Sequence, residues 1–383
     1  MFNEIFQAKL ITCPHAISKY PPDDMTQDHN PPEDESFFEN DFSEVPPPEI
    51  VAYNELRSCA DLFRMHAQKI LDIQPEFQRD VVWKSSEQTR FIDSLVKQLP
   101  IPSMCFALDH KAQKWIVIDG LQRISTIIRF LEGGDWRLSE LDDIDQNIAG
   151  KSVAAMRIDG APLHEYYTRV ENLSIPITVL RCDFKKKAHL DYLFTIFHRL
   201  NTGGVKLNNQ EIRNCIYGGG FNSLIKELDA YPRWRKLNRM APKNSYRFVK
   251  QEVILRFFAF HERFEDYSGH LAKFLNDYIH EHRNPKEEWI EQKRTLFRKT
   301  IDYISENIFI STPARFPNTV LEALMVAVGR AISNNSLPNP SNAATRYEEI
   351  VNHEVFSEQA RKEGLSKKPK VIERMRTAVE IFK

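Results

Sequence analysis

The chain has 383 residues, of which 42% are hydrophobic and 27% charged, and its formal net charge is −1, as is typical of a globular protein large enough for two domains or one two-part domain. The near-zero charge excludes a uniformly basic nucleic-acid-binding sleeve, so any contact with DNA would have to use a local patch. Five widely spaced cysteines without a C-x-x-C pair, no apolar run of bilayer length and no secretory signal indicate a reducing, cytoplasmic location without membrane contact.

The first segment, residues 1–49, is predicted to be a disordered tail. Prolines and acidic residues alternate over residues 20–49, where there is no Lys or Arg. Such a segment cannot bury enough apolar surface to offset its conformational entropy. Two interpretations remain open: a solvated leader without a role, or an acidic strip that covers a basic groove until nucleic acid displaces it.

The next elements form a mixed region. Ser85–Gln88 has the spacing of a capping box and opens a helix that ends at Pro100. The apolar face of this helix consists of Phe91, Ile92, Leu95, Val96 and Leu99. Apolar runs then predict strands over Ile101–Leu108, Lys114–Ile118 and Ile175–Arg181.

Beyond Lys187 the predicted elements are all helical. Apolar residues from Leu190 to Leu200 form a helical stripe, and Asn208–Glu211 caps the following helix. Further helical periods cover Val253–Phe260, Leu271–Ile279, Leu296–Ile304, Val320–Ala331 and Val371–Ile381. The sequence therefore predicts an α+β protein in which a small mixed α/β core, residues 50–220, is followed by a large all-helical domain, residues 221–383.

The segment from Trp115 to Thr126 has the pattern of a phosphate-binding turn. A buried strand runs into Asp119-Gly120 and then into a helix that carries Arg123 in its first turn. Helix N-terminal amides attract anions, and an arginine can hold a phosphate in bidentate fashion. The alternative is purely structural, with Asp119 as a helix cap and Arg123 in a surface ion pair.

Two further segments accompany this turn. The first runs from Ile73 to Arg79 and closes on Trp83, and the second runs from Phe197 to Asn214 and contains Asn-Thr-Gly-Gly. Together with I-D-G-L-Q-R, these three motifs resemble the N-terminal domain family of GmrSD-type restriction endonucleases, a branch of the ParB and sulfiredoxin-like superfamily. The resemblance covers about residues 50–383 and implies a ParB-like core. The family turn reads D-G-Q-Q-R, so that Leu121 replaces its first Gln.

The resemblance implies that the three motifs converge on one pocket. Chemically, a nucleotide site needs phosphate donors, a carboxylate for Mg²⁺ or water activation, and groups that orient water. Asp119 is the candidate magnesium ligand or general base, and Gln122 is the candidate for positioning water. The candidate nucleotide and phosphate ligands are Gln78, Arg79, Gly120, Arg123, Asn201, Thr202, Gly203 and Gly204.

A basic segment with two interleaved aromatic residues, Tyr231 and Trp234, follows at residues 231–239. Its cations could hold phosphates and its tryptophan could stack on an unpaired base; the alternative is a solvated helix face. The candidate DNA-binding residues are Arg233, Trp234, Arg235, Lys236 and Arg239.

The sequence and the resemblance together predict a nucleotide-binding protein, a Mg²⁺-dependent nucleoside triphosphatase that acts in DNA restriction or phage defence. Two alternatives stay open: a non-enzymatic, nucleotide-gated DNA-binding switch, and a direct DNA nickase. The C-terminal part has no clustered His-Asn-His pattern, so DNA cutting is expected to need its own pocket or a nuclease partner protein. The oligomeric state is left open.

Overall fold

The computed structural model describes residues 46–73, 83–200, 207–240, 248–309, 317–360 and 364–383. The predicted acidic tail lies outside the described residues, except for its last four positions. In that short stretch Glu49 forms an ion pair with Lys186, and its Oε2 lies 3.3 Å from Nε2 of His189.

Five strands form one mixed sheet. They are β1 (Val51–Ser58), β2 (Leu71–Asp72), β3 (Met104–Asp109), β4 (Lys114–Asp119) and β5 (Ser174–Cys182). Their order in the sheet is β1-β5-β3-β4-β2. The pairs β1–β5 and β3–β4 are antiparallel, whereas β3–β5 and β2–β4 are parallel. The three strands predicted from apolar runs are thereby confirmed, and the two edge strands are additions.

Five helices surround the sheet within the mixed region. They are α1 (Cys59–Ala67), α2 (Ser85–Val96), α3 (Leu121–Glu132), α4 (Val153–Met156) and α5 (His164–Asn172). Helix α2 begins one residue earlier than its predicted cap implies: Lys84, not Ser85, is the N-cap residue, and Glu87 accepts a hydrogen bond of 2.6 Å from its amide. Leu99 was assigned to its apolar face, and this was wrong: the helix ends at Val96, and Leu99 is exposed.

The rest of the described chain is helical, as predicted. The helices are α6 (Lys187–Leu200), α7 (Asn209–Ile216), α8 (Gly220–Asp229), α9 (Pro232–Leu237), α10 (Val249–Arg263), α11 (Leu271–Glu281), α12 (Glu287–Asn307), α13 (Asn318–Ser333), α14 (Pro340–Asn352) and α15 (Lys368–Ile381). Two short 3₁₀ turns cover Phe264–Asp266 and Glu354–Phe356. The predicted cap of α7 is confirmed, since Asn208 and Glu211 exchange side-chain-to-amide hydrogen bonds of 2.9 and 2.6 Å.

The two faces of the sheet belong to different hydrophobic clusters. One face, here called the lobe face, carries Cys105, Ile116 and Leu180 and packs into a cluster that extends through the C-terminal helices to Phe382. The other face, here called the far face, carries Phe106 and Val117 and packs against helices α1, α2, α3 and α5. The sheet thus packs against helices on both sides, and the C-terminal helices share a continuous core with its lobe face.

None of the described helices combines the length and the apolar character that crossing a membrane requires.

Candidate functional site

The turn between β4 and α3 has the backbone conformation of a phosphate-binding loop. Gly120 precedes the helix with φ +93°, a left-handed conformation that favours glycine. A Cβ atom at this position would lie 2.6 Å from Cγ of Met104, so that any other residue would also collide with β3. Gly120, the N-cap residue of α3, has no side chain that could cap the helix. The turn therefore presents backbone amides and the positive end of the helix dipole, which together favour an anion.

A register shift between β3 and β4 sets the direction of the Asp119 side chain. Phe106 pairs with Val117, whereas the preceding Cys105 pairs with Asp119, so Ile118 is the additional residue. Because side chains alternate along a strand, this bulge turns Asp119 onto the lobe face with Cys105 and Ile118. Their proximity also affects the thiol: burial and, to a smaller extent, the charge of Asp119 raise the pKa of Cys105 to about 12.

Arg123 is held in place by three contacts. Its Nη2 atom lies 2.8 Å from Oδ2 of Asp119, one helical turn earlier. The guanidinium also donates to the backbone carbonyl of Pro102 and, over 3.4 Å, to that of Ser103. The Arg123 side chain retains 15% of its exposure and that of Asp119 retains 38%. The Asp119–Arg123 ion pair, which the sequence offered as the structural alternative to phosphate binding, is therefore present. Solvent reaches both side chains.

Gln122 connects the turn to the first motif. Its Oε1 accepts a hydrogen bond of 3.0 Å from the amide of Trp83, the residue on which that motif closes. Trp83 also packs edge-on against Phe91 of α2, with ring centroids 5.4 Å apart. Since β2 runs parallel to β4, Ile73 leaves the sheet at the edge where Asp119 lies. The flanks of this motif thus meet the turn, although Gln78 and Arg79 lie outside the described residues.

The third motif also begins and ends close to this edge. Phe197 of α6 and Ile212 of α7 belong to the cluster that contains Ile118. Within α7, burial raises the pKa of Cys215 well above its usual value, and the charge of Asp72 at the end of β2 adds to this effect. The candidate phosphate ligands Asn201, Thr202, Gly203 and Gly204 lie outside the described residues.

Two nearby polar residues have structural partners. The hydroxyl of Thr126 donates to the carbonyl of Gln122 over 2.7 Å, as its position in a helix predicts. Arg213 is completely buried and binds Asn276 and Glu252 at 2.8 and 3.0 Å. It therefore fixes α7 against α10 and α11. Leu121, at the position of the family Gln, is partly buried and packs against both clusters.

Helix α9 contains most of the candidate DNA-binding residues, and several have partners within the protein. Trp234 is completely buried, donates to Asp229 over 3.3 Å and packs against Phe297. Its ring faces are covered by protein, so the base-stacking role expected of it does not fit this conformation. Arg233 lies between Asp302 and Glu306, and Arg235 donates to the carbonyl of Asp229 over 3.0 Å. Lys236 and Arg239 are exposed.

Among the comparisons with known proteins, one gave a match, to residues 59–218. A search of curated proteins and a search of solved structures each gave no significant match. The matched segment contains all three motifs and begins directly after β1. Residues 59–218 match the model of the GmrSD restriction endonuclease N-terminal domain family, so the family predicted from the three motifs is confirmed for this part of the chain.

Proposed function

We propose that the protein binds a nucleoside triphosphate at the β4–α3 turn and hydrolyses it with Mg²⁺, in the service of DNA restriction or phage defence. The observation that carries this proposal is the bulge that turns Asp119 onto the face of the sheet beside Arg123. A carboxylate, an arginine and a helix N-terminus without a side-chain cap then adjoin one accessible position. These are the groups that phosphoryl transfer requires for phosphate binding and for charge neutralisation.

Phosphate binding would use the turn and Arg123 together. A guanidinium carries five N–H donors, and the described contacts of Arg123 go to Asp119 and to the carbonyls of Pro102 and Ser103. These contacts orient the group before the ligand arrives, which lowers the entropy that binding would otherwise lose. The backbone amides at the start of α3 supply the second set of donors.

Magnesium binding would rest on Asp119. Mg²⁺ is usually held by one or two protein carboxylates together with water and substrate phosphates. Among the described residues, no cluster of three or more His, Cys, Asp or Glu could hold a metal ion, so a magnesium ion here would arrive with the phosphates. Oδ2 of Asp119 accepts from Arg123, and its exposed carboxylate fits a single metal contact. The ion would neutralise charge on the phosphate oxygens.

One observation favours a second candidate, a nucleotide-gated switch without hydrolysis. Asp119 and Arg123 neutralise each other in the present conformation. A phosphate that competes for Arg123 would weaken this pair and also the contacts to Pro102 and Ser103, which lead into β3. Binding alone would then alter the sheet edge, and Asp119 would need no catalytic role.

DNA contact is proposed from the family of residues 59–218, whose model describes a restriction endonuclease domain. On and after α9, Arg233 is exposed but paired with Asp302 and Glu306, and the other exposed candidate cations are Lys236 and Arg239. They would bind phosphates without reading sequence. Cutting would belong to a nuclease partner protein or to a separate pocket of this chain, which would make the protein a nickase in its own right.

Three measurements separate these functions. Calorimetric titration with each of the four triphosphates and Mg²⁺ tests binding. Steady-state phosphate release then distinguishes the hydrolase, which turns over, from the switch, which binds and does not. Relaxation of supercoiled plasmid without added nucleotide would identify the nickase. Absence of binding for all four triphosphates would contradict the proposal.

A further inference from the structure

The lobe face of the sheet carries a lateral row of residues that starts at Asp119. Asp119 pairs with Cys105, Cys105 pairs with Thr178, and Thr178 pairs with Asn54, so the row crosses β4, β3, β5 and β1. Three inter-strand spacings of about 4.8 Å give it a length of roughly 14 Å. Only the bulge at Ile118 brings Asp119 into this row on the same face.

Hydrogen bonds connect the outer part of the row to the turn. Arg123 contacts the carbonyl of Ser103, and the Ser103 hydroxyl lies 3.1 Å from Oγ1 of Thr178. Thr178 in turn donates to Oδ1 of Asn54 over 2.9 Å. The Ser103 hydroxyl also lies 3.1 Å from the carbonyl of Met104, so its single proton can go to either acceptor. Asn54 is exposed, and its amide nitrogen can donate two hydrogen bonds.

The same corner has an apolar side. Leu56 follows Asn54 on the same face of β1 and pairs with Pro176 of β5. Its side chain is 71% exposed, the highest exposure among the large apolar residues of the described chain. Farther along β5, by contrast, Leu180 is buried in the cluster that contains the C-terminal helices. The helices therefore cover the lobe face only in part. The uncovered area, here called the β1–β5 corner, consists of Ser103, Asn54, Leu56, Pro176 and Thr178.

We propose that the β1–β5 corner binds the sugar and base of a nucleotide whose phosphates lie at the β4–α3 turn; this inference rests on the proposed function. The length of the row matches the reach of an extended nucleotide from its terminal phosphate to its base. Asn54 and Thr178 provide hydrogen-bonding groups for sugar hydroxyls or a base edge, and Leu56 provides apolar surface for the ring. A largely apolar surface with a few placed polar groups is the usual form of a small-molecule site.

The location of Asn54 and Leu56 makes this inference specific to the present chain. β1 lies outside the segment that matches the family model, which begins at Cys59. Its residues would therefore add specificity for the nucleoside to a phosphate site supplied by the matched segment. The proposal predicts that the two parts of the ligand respond to different substitutions.

Calorimetry with two probes tests this separation. The probes are inorganic triphosphate and the best-bound nucleoside triphosphate, each titrated with Mg²⁺ into the full chain. Asn54→Ala and Thr178→Val should each weaken the nucleoside triphosphate by about three- to tenfold, the usual effect of one hydrogen bond, and leave inorganic triphosphate unchanged. Leu56→Ser should weaken the nucleoside triphosphate alone, by about threefold. Arg123→Ala should weaken both probes.

β1 offers a matched control on its far face. Val51 is 47% exposed and pairs with Arg181, and Val51→Ser should leave both affinities unchanged. If the wild type binds both probes equally well, or if Asn54→Ala weakens both equally, the β1–β5 corner does not bind the nucleoside. The proposed phosphate site would remain in place. Failure of both probes to bind the wild type would contradict both the proposed function and the proposed nucleoside site at the β1–β5 corner. A Leu56→Ser variant that changes the oligomeric state and neither affinity would assign the corner to protein contact.

Discussion

The β4–α3 turn and helix α9 both combine arginines with a sequence context typical of phosphate binding, and the structure uses these arginines differently. At the turn, Arg123 stands beside a helix N-terminus without a side-chain cap and a carboxylate that a bulge has redirected. On α9, Arg233 is held by Asp302 and Glu306 from α12, and Trp234 is buried against the same helix. Helix α9 carries three cations, Arg233, Arg235 and Lys236, whereas the turn carries Arg123 alone, but the backbone geometry that would receive a ligand occurs at the turn.

The largest expected effect concerns the stability of the α9 region. Trp234→Ala should lower the free energy of unfolding by about 3–5 kcal/mol, because it removes a completely buried ring. Chemical denaturation measures this change. The matched control is Lys236→Ala on the same helix, an exposed position that should change stability by less than about 0.5 kcal/mol. A Trp234→Ala variant with wild-type stability and weakened DNA binding would restore the stacking role.

The next effect concerns chemistry at the turn. Asp119→Asn keeps the shape of the side chain and removes its charge, so turnover should fall by about 10²-fold or more while nucleotide binding persists. Phosphate release and calorimetry on the same preparation check both parts. Full turnover with Asn at this position would leave Asp119 as a structural partner of Arg123 and would move the catalytic role elsewhere.

A smaller effect is expected for the backbone of the turn. Gly120→Ala should destabilise the protein by about 1–3 kcal/mol, because alanine is strained at φ +93° and its Cβ would collide with Met104. A suitable control is Gly134→Ala, where φ is also positive but no atom lies within 4 Å of the added Cβ. The difference between the two variants in thermal unfolding isolates the collision. Equal destabilisation would mean that β3 gives way at Met104.

The smallest effect separates the cations of α9 from one another. Removal of a phosphate contact to duplex DNA reduces the slope of log affinity against log salt by about 0.9. Lys236→Ala should show this reduction, whereas Arg233→Ala should show none, because Arg233 is paired with Asp302 and Glu306. Fluorescence anisotropy at several salt concentrations measures both slopes. A reduced slope for Arg233→Ala alone would mean that DNA displaces those acidic partners.

The sequence predicts the features that depend on local patterns. The strands β3, β4 and β5 follow from apolar runs, the start of α7 follows from its cap Asn208, and the start of α2 lies one residue earlier than its predicted cap Ser85 implies. β1 has no such signal, because it is an edge strand whose first four residues are all exposed. It therefore lacks the alternation of apolar and polar residues that identifies a half-buried strand.

Features that depend on tertiary contacts could not be predicted. The bulge at Ile118 exists only in the pairing of β4 with β3, so the direction of Asp119 cannot be obtained from its own segment. Trp234 has the sequence context of a surface aromatic residue and is buried because α12 packs over it. The turn was therefore identified from sequence, whereas the row from Asp119 to Asn54 required the register of four strands.

The central claim is that the β4–α3 turn binds phosphate. Its most direct test compares Arg123, at the start of α3, with Arg157, which contacts the other end of this helix. Arg123 donates to backbone carbonyls beside the turn, and Arg157 donates to the carbonyl of Glu132 at the end of the helix. Calorimetric titration of Arg123→Ala and Arg157→Ala with Mg²⁺ and the preferred nucleoside triphosphate measures their separate contributions. We predict a loss of about 1.5–3 kcal/mol in binding free energy for Arg123→Ala and none for Arg157→Ala. Wild-type affinity in a folded Arg123→Ala protein would contradict a phosphate site at the β4–α3 turn.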